Sequence, residues 1–169
     1  MLLSNDAPPA AVVPAARPRL TIRGVRLPDY LDRRAVMYRA SSSELKAFPD
    51  AVWAERPGPA ITRWLAQELA ARLPEYDVRS YSSGNVPGYV LETELACFEA
   101  VAPSSLCLRG TWRIADNAAW GGALDIQAPL AELSPDAAVE AMKSALKDAA
   151  GQIAARVRSL PPPAASGNR

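Results

Sequence analysis

The sequence lacks histidine entirely, and its 169 residues include only two cysteines. The absence of histidine removes the commonest general base and the commonest metal ligand of proteins. Two cysteines, Cys97 and Cys107, cannot form a four-ligand zinc site by themselves. The serines of the predicted turns also lack the base that usually activates a nucleophile. A small hydrolase is therefore disfavoured as a function, and neither a cofactor nor a metal site is predicted.

Long apolar runs and an excess of one charge are missing as well. The longest apolar stretches are far shorter than the roughly 20 residues that a membrane-spanning helix needs. The formal net charge is only +1, from 19 basic and 18 acidic residues. This balance argues against nucleic acid as a partner, because nucleic-acid binders usually present a basic face. Hydrophobic residues still make up 49% of the chain, which is enough for one domain with a sizeable core.

Proline and alanine are concentrated at the two ends of the chain. Residues 1–18 are predicted to form an extended segment, and residues 161–169 are predicted to be a disordered tail. The folded domain is accordingly expected to span residues 19–160. No internal repeat is visible within it.

Apolar periodicity inside this domain predicts two helices and several strands. One helix is expected to start at Pro59 and to stop at Pro74, and a final helix starts at Pro135 after the N-cap residue Ser134. Alternating apolar positions predict strands elsewhere, with a β-bulge near Cys97. The predicted fold class is α+β, a two-layer sandwich in which two helices cover one face of a mostly antiparallel twisted sheet.

One predicted corner, Leu27–Arg33, lies between two strand-like runs and contains a proline and two aspartates that favour a tight turn. It also places Tyr30 and Leu31 side by side, and Arg33 and Arg34 follow them. Neighbouring side chains on a short loop cannot easily face the same core. The corner is therefore a candidate contact surface for a partner or a second copy, since aromatic and arginine residues often carry interface energy. The alternative is that Tyr30 and Leu31 simply close the open end of the sandwich.

Three further features have more than one interpretation. Trp120 lies in a glycine-flanked segment predicted as a loop, where it either contacts a partner or packs on its own loop. Cys97 and Cys107 face each other across a predicted hairpin. They either form a disulfide, in an oxidising compartment, or are two small buried residues, in a reducing one. Glu92 and Glu94 share one face of a strand, and a solvated outer face is favoured over an acid–base pair.

Several short motifs, taken in order along the chain, resemble a known family. They are Leu27-Pro28-x-Tyr30-Leu31-Asp32-Arg33, Trp53-Ala54-Glu55, the helix 61–74, Leu95-x-x-Phe98-Glu99, Leu108-x-x-x-Trp112-x-Ile114 and the Ala-rich helix 137–157. Together they resemble the PqiC-like family of ABC-transport auxiliary lipoproteins, which work with MCE-domain transport systems of Gram-negative bacteria. The resemblance covers about residues 19–158.

This resemblance implies a function that the residues alone do not. It implies a non-catalytic periplasmic component of a lipid-transporting ABC system, which positions the MCE-domain protein at the outer membrane and works with an inner-membrane ABC transporter. It also implies self-association and a lipid anchor. Family members usually carry a signal peptide and a lipobox cysteine, neither of which is in the chain given, so the chain is interpreted as a fragment starting after the lipobox. The alternative is an envelope-assembly or binding module unrelated to MCE systems.

Overall fold

The computed structural model describes residues 17–81, 88–115 and 117–162, which contain seven strands and two helices. Their predicted arrangement as an α+β fold is confirmed. The elements, in chain order, are β1 Arg19–Ile22, β2 Ala35–Arg39, β3 Leu45–Val52, α1 Pro57–Arg72, β4 Asp77–Ser80, β5 Gly88–Val101, β6 Ser105–Ile114, β7 Asn117–Pro129 and α2 Pro135–Val157. Residues 1–16 and 163–169, for which an extended segment and a disordered tail are predicted, lie outside the described residues. The glycine, asparagine and proline of residues 83–88 predict a turn, and all but the last of these residues also lie outside the described part of the chain.

The seven described strands form one sheet in which β5 is the longest and has the most neighbours. On one side β5 pairs with β6, and β6 pairs with β7, both antiparallel. On its other side β5 changes partner along its length, because its first residues pair with β1 and its last residues pair with β2. β4 lies beyond β1, and β3 lies beyond β2.

The sheet is more mixed than predicted. The pairings of β1 with β4, of β1 with β5 and of β2 with β5 are parallel. Parallel neighbours need a crossover connection, and here that connection contains α1, which lies between β3 and β4 in the chain. Periodicity identifies strands but not their direction, so an alternating pattern alone cannot distinguish the two kinds of pairing.

Helix α1 begins at Pro57, two residues before the predicted start, and a proline in the first turn is favoured there. Its preceding residue offers no side-chain cap. Instead, Asp32 of the corner accepts a hydrogen bond from the Gly58 N–H at 3.4 Å. The corner thus caps the helix that follows β3, and it couples the two elements.

Helix α2 begins as predicted. Ser134 is its N-cap, and the Ser134 hydroxyl accepts a hydrogen bond from the Ala137 N–H at 3.3 Å. Its apolar stripe is buried against the sheet and α1, with Ile153 and Val157 fully buried. The N-cap signal and the stripe therefore predicted both the start and the buried face of this helix.

The segment predicted as a loop at 117–121 is instead the first part of β7, so the prediction for Trp120 needs correction. Gly121 and Gly122, which favoured a loop, are paired with Arg113 and Trp112 of β6. A Cβ atom on Gly122 would lie 3.0 Å from the indole nitrogen of Trp112. These glycines allow close approach to a buried tryptophan within a strand, and Trp120 is consequently a half-buried strand residue.

Candidate functional site

The corner is a tight turn, as its proline and aspartates predicted. The Pro28 carbonyl accepts hydrogen bonds from the N–H groups of Leu31 at 2.9 Å and Asp32 at 3.1 Å. The adjacent side chains of Tyr30 and Leu31 then separate. Leu31 is buried and lines a cleft beside α1, whereas the Tyr30 hydroxyl reaches β5. Leu31 therefore packs within the domain, and Tyr30 forms hydrogen bonds within it.

Tyr30 joins a buried ionic cluster with Arg39 and Glu99, called here the Glu99 cluster. The Glu99 side chain is fully buried, and its Oε1 accepts hydrogen bonds from Arg39 Nε at 3.0 Å and Nη2 at 2.8 Å. Its Oε2 accepts a hydrogen bond from the Phe98 N–H at 2.9 Å and another from the Tyr30 hydroxyl at 3.3 Å. A buried carboxylate needs this degree of pairing to offset its desolvation.

The protonation states in the Glu99 cluster follow from the same contacts. Burial and the negative charge of Glu99 raise the pKa of Tyr30, although the positive charge of Arg39 acts against them. The hydrogen bonds to Glu99 raise the pKa of Arg39. Tyr30 therefore stays neutral and Arg39 stays charged near pH 7, which suits a structural cluster and leaves neither group available as a general base.

Arg33 and Arg34 are exposed beside the corner, and their hydrogen bonds are to backbone carbonyls. Arg33 Nε donates to the Asp29 carbonyl at 3.3 Å, and Arg34 Nη2 donates to the Ala54 carbonyl at 3.2 Å. Within residues 17–81, 88–115 and 117–162, neither guanidinium group forms a salt bridge with a carboxylate. Both guanidinium groups can still donate hydrogen bonds to an anionic group of a partner molecule, so their role in partner contact stays a prediction.

A cleft of about 310 Å³ lies beneath the corner. Its walls come from the corner, β2, the segment between β3 and α1, the first half of α1, β5 and the first half of α2. Thirteen of the fifteen lining residues are apolar or aromatic. The lining residues are Leu27, Leu31, Met37, Trp53, Ala54, Glu55, Pro57, Ala60, Ile61, Trp64, Phe98, Val139, Met142, Lys143 and Leu146. Trp53 and Trp64 are only partly buried and pack against the core at this cleft.

The predicted bulge in β5 is confirmed, since the pairing with β6 shifts between Leu95 and Cys97. As a result Cys97 lies opposite Arg109, and Cys107 lies opposite Glu99. The two cysteines are diagonal neighbours rather than directly opposite, with Cα atoms 6.0 Å apart and sulfur atoms in contact. This spacing is within the range for a disulfide, and the bond in the native protein stays a prediction.

Trp120 lies away from the corner. The guanidinium carbon of Arg156, near the end of α2, is 5.7 Å from the centre of the Trp120 ring, which is cation–π geometry. The corner instead borders the first half of α2 through the cleft. The two predicted contact regions are thus associated with opposite ends of this helix.

The remaining acidic candidates are paired with arginines. Glu92 contacts Arg23 and Arg113, and Glu94 pairs with Arg26 at 2.9 Å. The described residues contain no group of three or more acidic or cysteine side chains able to hold a metal ion. Nor does the described part of the chain include a helix long and apolar enough to cross a membrane.

Comparison with known proteins identifies the family. The family described as the ABC-type transport auxiliary lipoprotein component matches residues 2–154. The chain belongs to this family. No curated protein sequence matches the chain significantly. The match confirms the resemblance inferred from the sequence motifs, and membership of a lipoprotein family implies that this auxiliary component is located at the cell envelope.

Two solved structures share the fold of the auxiliary component. One is the crystal structure of an uncharacterized protein, with a TM-score of 0.76 and 17% identity, covering 85% of this chain and 94% of that one. The other is protein XCC0632 from Xanthomonas campestris, with a TM-score of 0.65 and 14% identity, covering 82% of this chain and 84% of that one. At these identities the similarity shows the fold alone.

Sequence reasoning missed two parts of the site. It treated Glu99 only as part of a motif, although a single charged residue in the apolar run 95–102 is itself a signal of a buried, paired charge. It also missed the cleft, whose walls come from six separate parts of the chain. No local pattern brings these walls together, so only the fold reveals them.

Proposed function

We propose that this auxiliary component serves an MCE-type ABC system that moves lipids between membranes. The observation that carries the proposal is the family match over residues 2–154. In this proposal the protein is non-catalytic and periplasmic, is held at the outer membrane by a lipid anchor, and docks the MCE-domain protein. The inner-membrane ABC transporter is then an indirect partner.

We further propose that the corner supplies the docking contact. The support is the exposed pair Arg33 and Arg34, whose hydrogen bonds go to backbone carbonyls. Guanidinium groups held in this way keep their charge for carboxylates on a partner. Tyr30 is the less favourable candidate, because its hydroxyl already contacts Ala96 and Glu99.

The test is capture of the co-encoded MCE-domain protein by purified variants. Arg33→Ala combined with Arg34→Ala should reduce capture by about tenfold, equivalent to roughly 1.4 kcal/mol, without changing the melting temperature. Arg109→Ala is the matched control, since Arg109 is also an exposed arginine and lies on β6 of the sheet. Equal capture by all three proteins would reject the corner as the docking contact.

Self-association is tested on the same variants by sedimentation. If Arg33→Ala with Arg34→Ala changes the oligomeric state but not capture, the corner contacts a second copy instead of the MCE-domain protein. The alternative function is an envelope-assembly or binding module unrelated to MCE systems. A genomic neighbourhood without an MCE-domain gene, together with no capture, would favour that alternative.

A further inference from the structure

We propose that the cleft beneath the corner binds one acyl chain of a phospholipid, whose headgroup stays at the cleft mouth beside Lys143. The choice of a phospholipid as the source of the chain rests on the proposed function, whereas the apolar site itself does not. The cleft is an open, apolar site between the corner and the two helices.

The chemistry of the lining selects an aliphatic ligand. A polar ligand needs fixed hydrogen-bond partners inside its site, because an unpaired polar group loses its hydration there. The two charged lining residues are at the mouth, since the side chains of Glu55 and Lys143 remain 51% and 57% exposed. The other lining residues are apolar or aromatic, so the interior suits a hydrocarbon chain.

The volume matches one chain rather than two. An apolar protein cavity of about 150 Å³ holds one benzene molecule. A cleft of about 310 Å³ therefore has room for on the order of twelve carbon atoms by the same measure. Met37 and Met142 line it, and their flexible side chains can adapt to chains of different length.

The mouth of the cleft also suits a phosphate. Lys143 pairs with Glu140 at 2.6 Å, and Arg63 pairs with the lining residue Glu55. Exposed ion pairs of this kind contribute little to stability. A lipid phosphate can therefore displace either carboxylate at small cost, and the two cations then hold the headgroup outside the apolar interior.

The binding experiment uses a lysophospholipid whose single acyl chain carries bromine, which quenches tryptophan fluorescence on contact. Trp53 and Trp64 line the cleft, so binding should quench the fluorescence of the native protein. An excess of glycerophosphoglycerol, which has the headgroup but no chain, should not reverse this quenching. An absence of quenching by the brominated lysophospholipid would overturn the proposal.

Filling the cleft should weaken this binding. Ala60→Phe places a ring in the cleft from α1, and Ala70→Phe is the matched control, because Ala70 is exposed on the same helix. We expect about a tenfold loss of lysophospholipid affinity in Ala60→Phe and none in Ala70→Phe. Val139→Phe is a second filling variant, used if Ala60→Phe does not fold. Unchanged affinity in a folded filling variant would overturn the proposal.

The role of the headgroup and the independence from MCE docking are tested separately. Lys143→Ser should weaken lysophospholipid binding but not binding of the uncharged monoacylglycerol with the same chain; equal losses would overturn the headgroup assignment.

Quenching without capture of the MCE-domain protein would support the acyl site and reject the docking function. Capture without quenching would reject the acyl site alone. A third outcome is that the lysophospholipid does not quench the native protein while Ala60→Phe abolishes capture of the MCE-domain protein. That result would mean that a side chain of the partner, rather than an acyl chain, fills the cleft.

Discussion

Replacing Arg39 with methionine is expected to destabilise the fold by about 3 kcal/mol, because it leaves the buried Glu99 without its cation. Glu99 Oε1 receives both Arg39 hydrogen bonds, at 3.0 and 2.8 Å. Without them this oxygen keeps only the Tyr30 hydroxyl at 3.4 Å. Breaking a fully buried ion pair typically costs about 3–5 kcal/mol, and the 29% exposure of the Arg39 side chain places this case at the lower end.

The measurement is urea denaturation followed by tryptophan fluorescence, with free energies of unfolding extrapolated to water. Methionine keeps most of the aliphatic stem of arginine, so the loss of packing is small. The matched control is Arg26→Met, which removes the exposed pair between Arg26 and Glu94, with side chains 69% and 58% exposed. That control should cost less than about 1 kcal/mol.

A double variant separates the charge from the packing. Arg39→Met with Glu99→Met replaces the whole pair by apolar side chains, and it should be more stable than Arg39→Met alone. If Arg39→Met costs no more than Arg26→Met, then Glu99 is not held by this pairing and the reasoning fails. If the double variant is less stable than the single one, the main role of Glu99 is packing rather than charge.

Three other predictions concern Tyr30, the cysteines and the chain ends. Because the pKa of Tyr30 is raised above its usual 10.0, its contribution to stability is complete below about pH 10 and is lost as the pH rises through the higher folded-state value. Alkaline denaturation should therefore show Tyr30→Phe losing less stability than the native protein above about pH 10. Cys97 and Cys107 should form a disulfide under oxidising conditions, visible as a mass two units below the reduced form, and closing so short a loop should add roughly 2–3 kcal/mol in urea denaturation. Detection of free thiols at Cys97 and Cys107 in protein prepared under oxidising conditions would contradict the disulfide. Limited proteolysis should trim the chain to about residues 19–160, as the proline-rich ends predict, and protection of residues 161–169 would show otherwise.

Local signals predicted the fold where a residue type has one strong structural preference. Ser134 followed by Pro135 specified the start of α2, and the break in alternation before Phe98 specified the bulge in β5. Glycine has no such single preference. Gly121 and Gly122 favoured a loop by composition, yet the neighbouring Trp112 requires them within a strand.

Features that depend on distant partners could not be predicted. The parallel direction of β1 and β2 depends on β5, and the pairing of the buried Glu99 depends on Arg39, sixty residues away. The sequence indicated that Tyr30 and Leu31 could not share one core. It could not indicate that the Tyr30 hydroxyl would contact β5 while Leu31 lines the cleft. Both positions depend on how the sheet and the helices pack against the corner.

The change of partner along β5 has a consequence for the order of folding. β1 meets β5 through Arg19 and Gly88, and β2 meets it through Tyr38 and Ala100. Bringing Arg19 next to Gly88 closes a loop of the intervening chain, which costs roughly 4 kcal/mol in chain entropy before any contact compensates it. The hairpins of β5, β6 and β7, in contrast, close over short connections. We therefore expect β5, β6 and β7 to form first and to serve as the template on which the earlier strands assemble. Amide exchange during refolding would then protect β6 before β1, although β1 leaves the ribosome first.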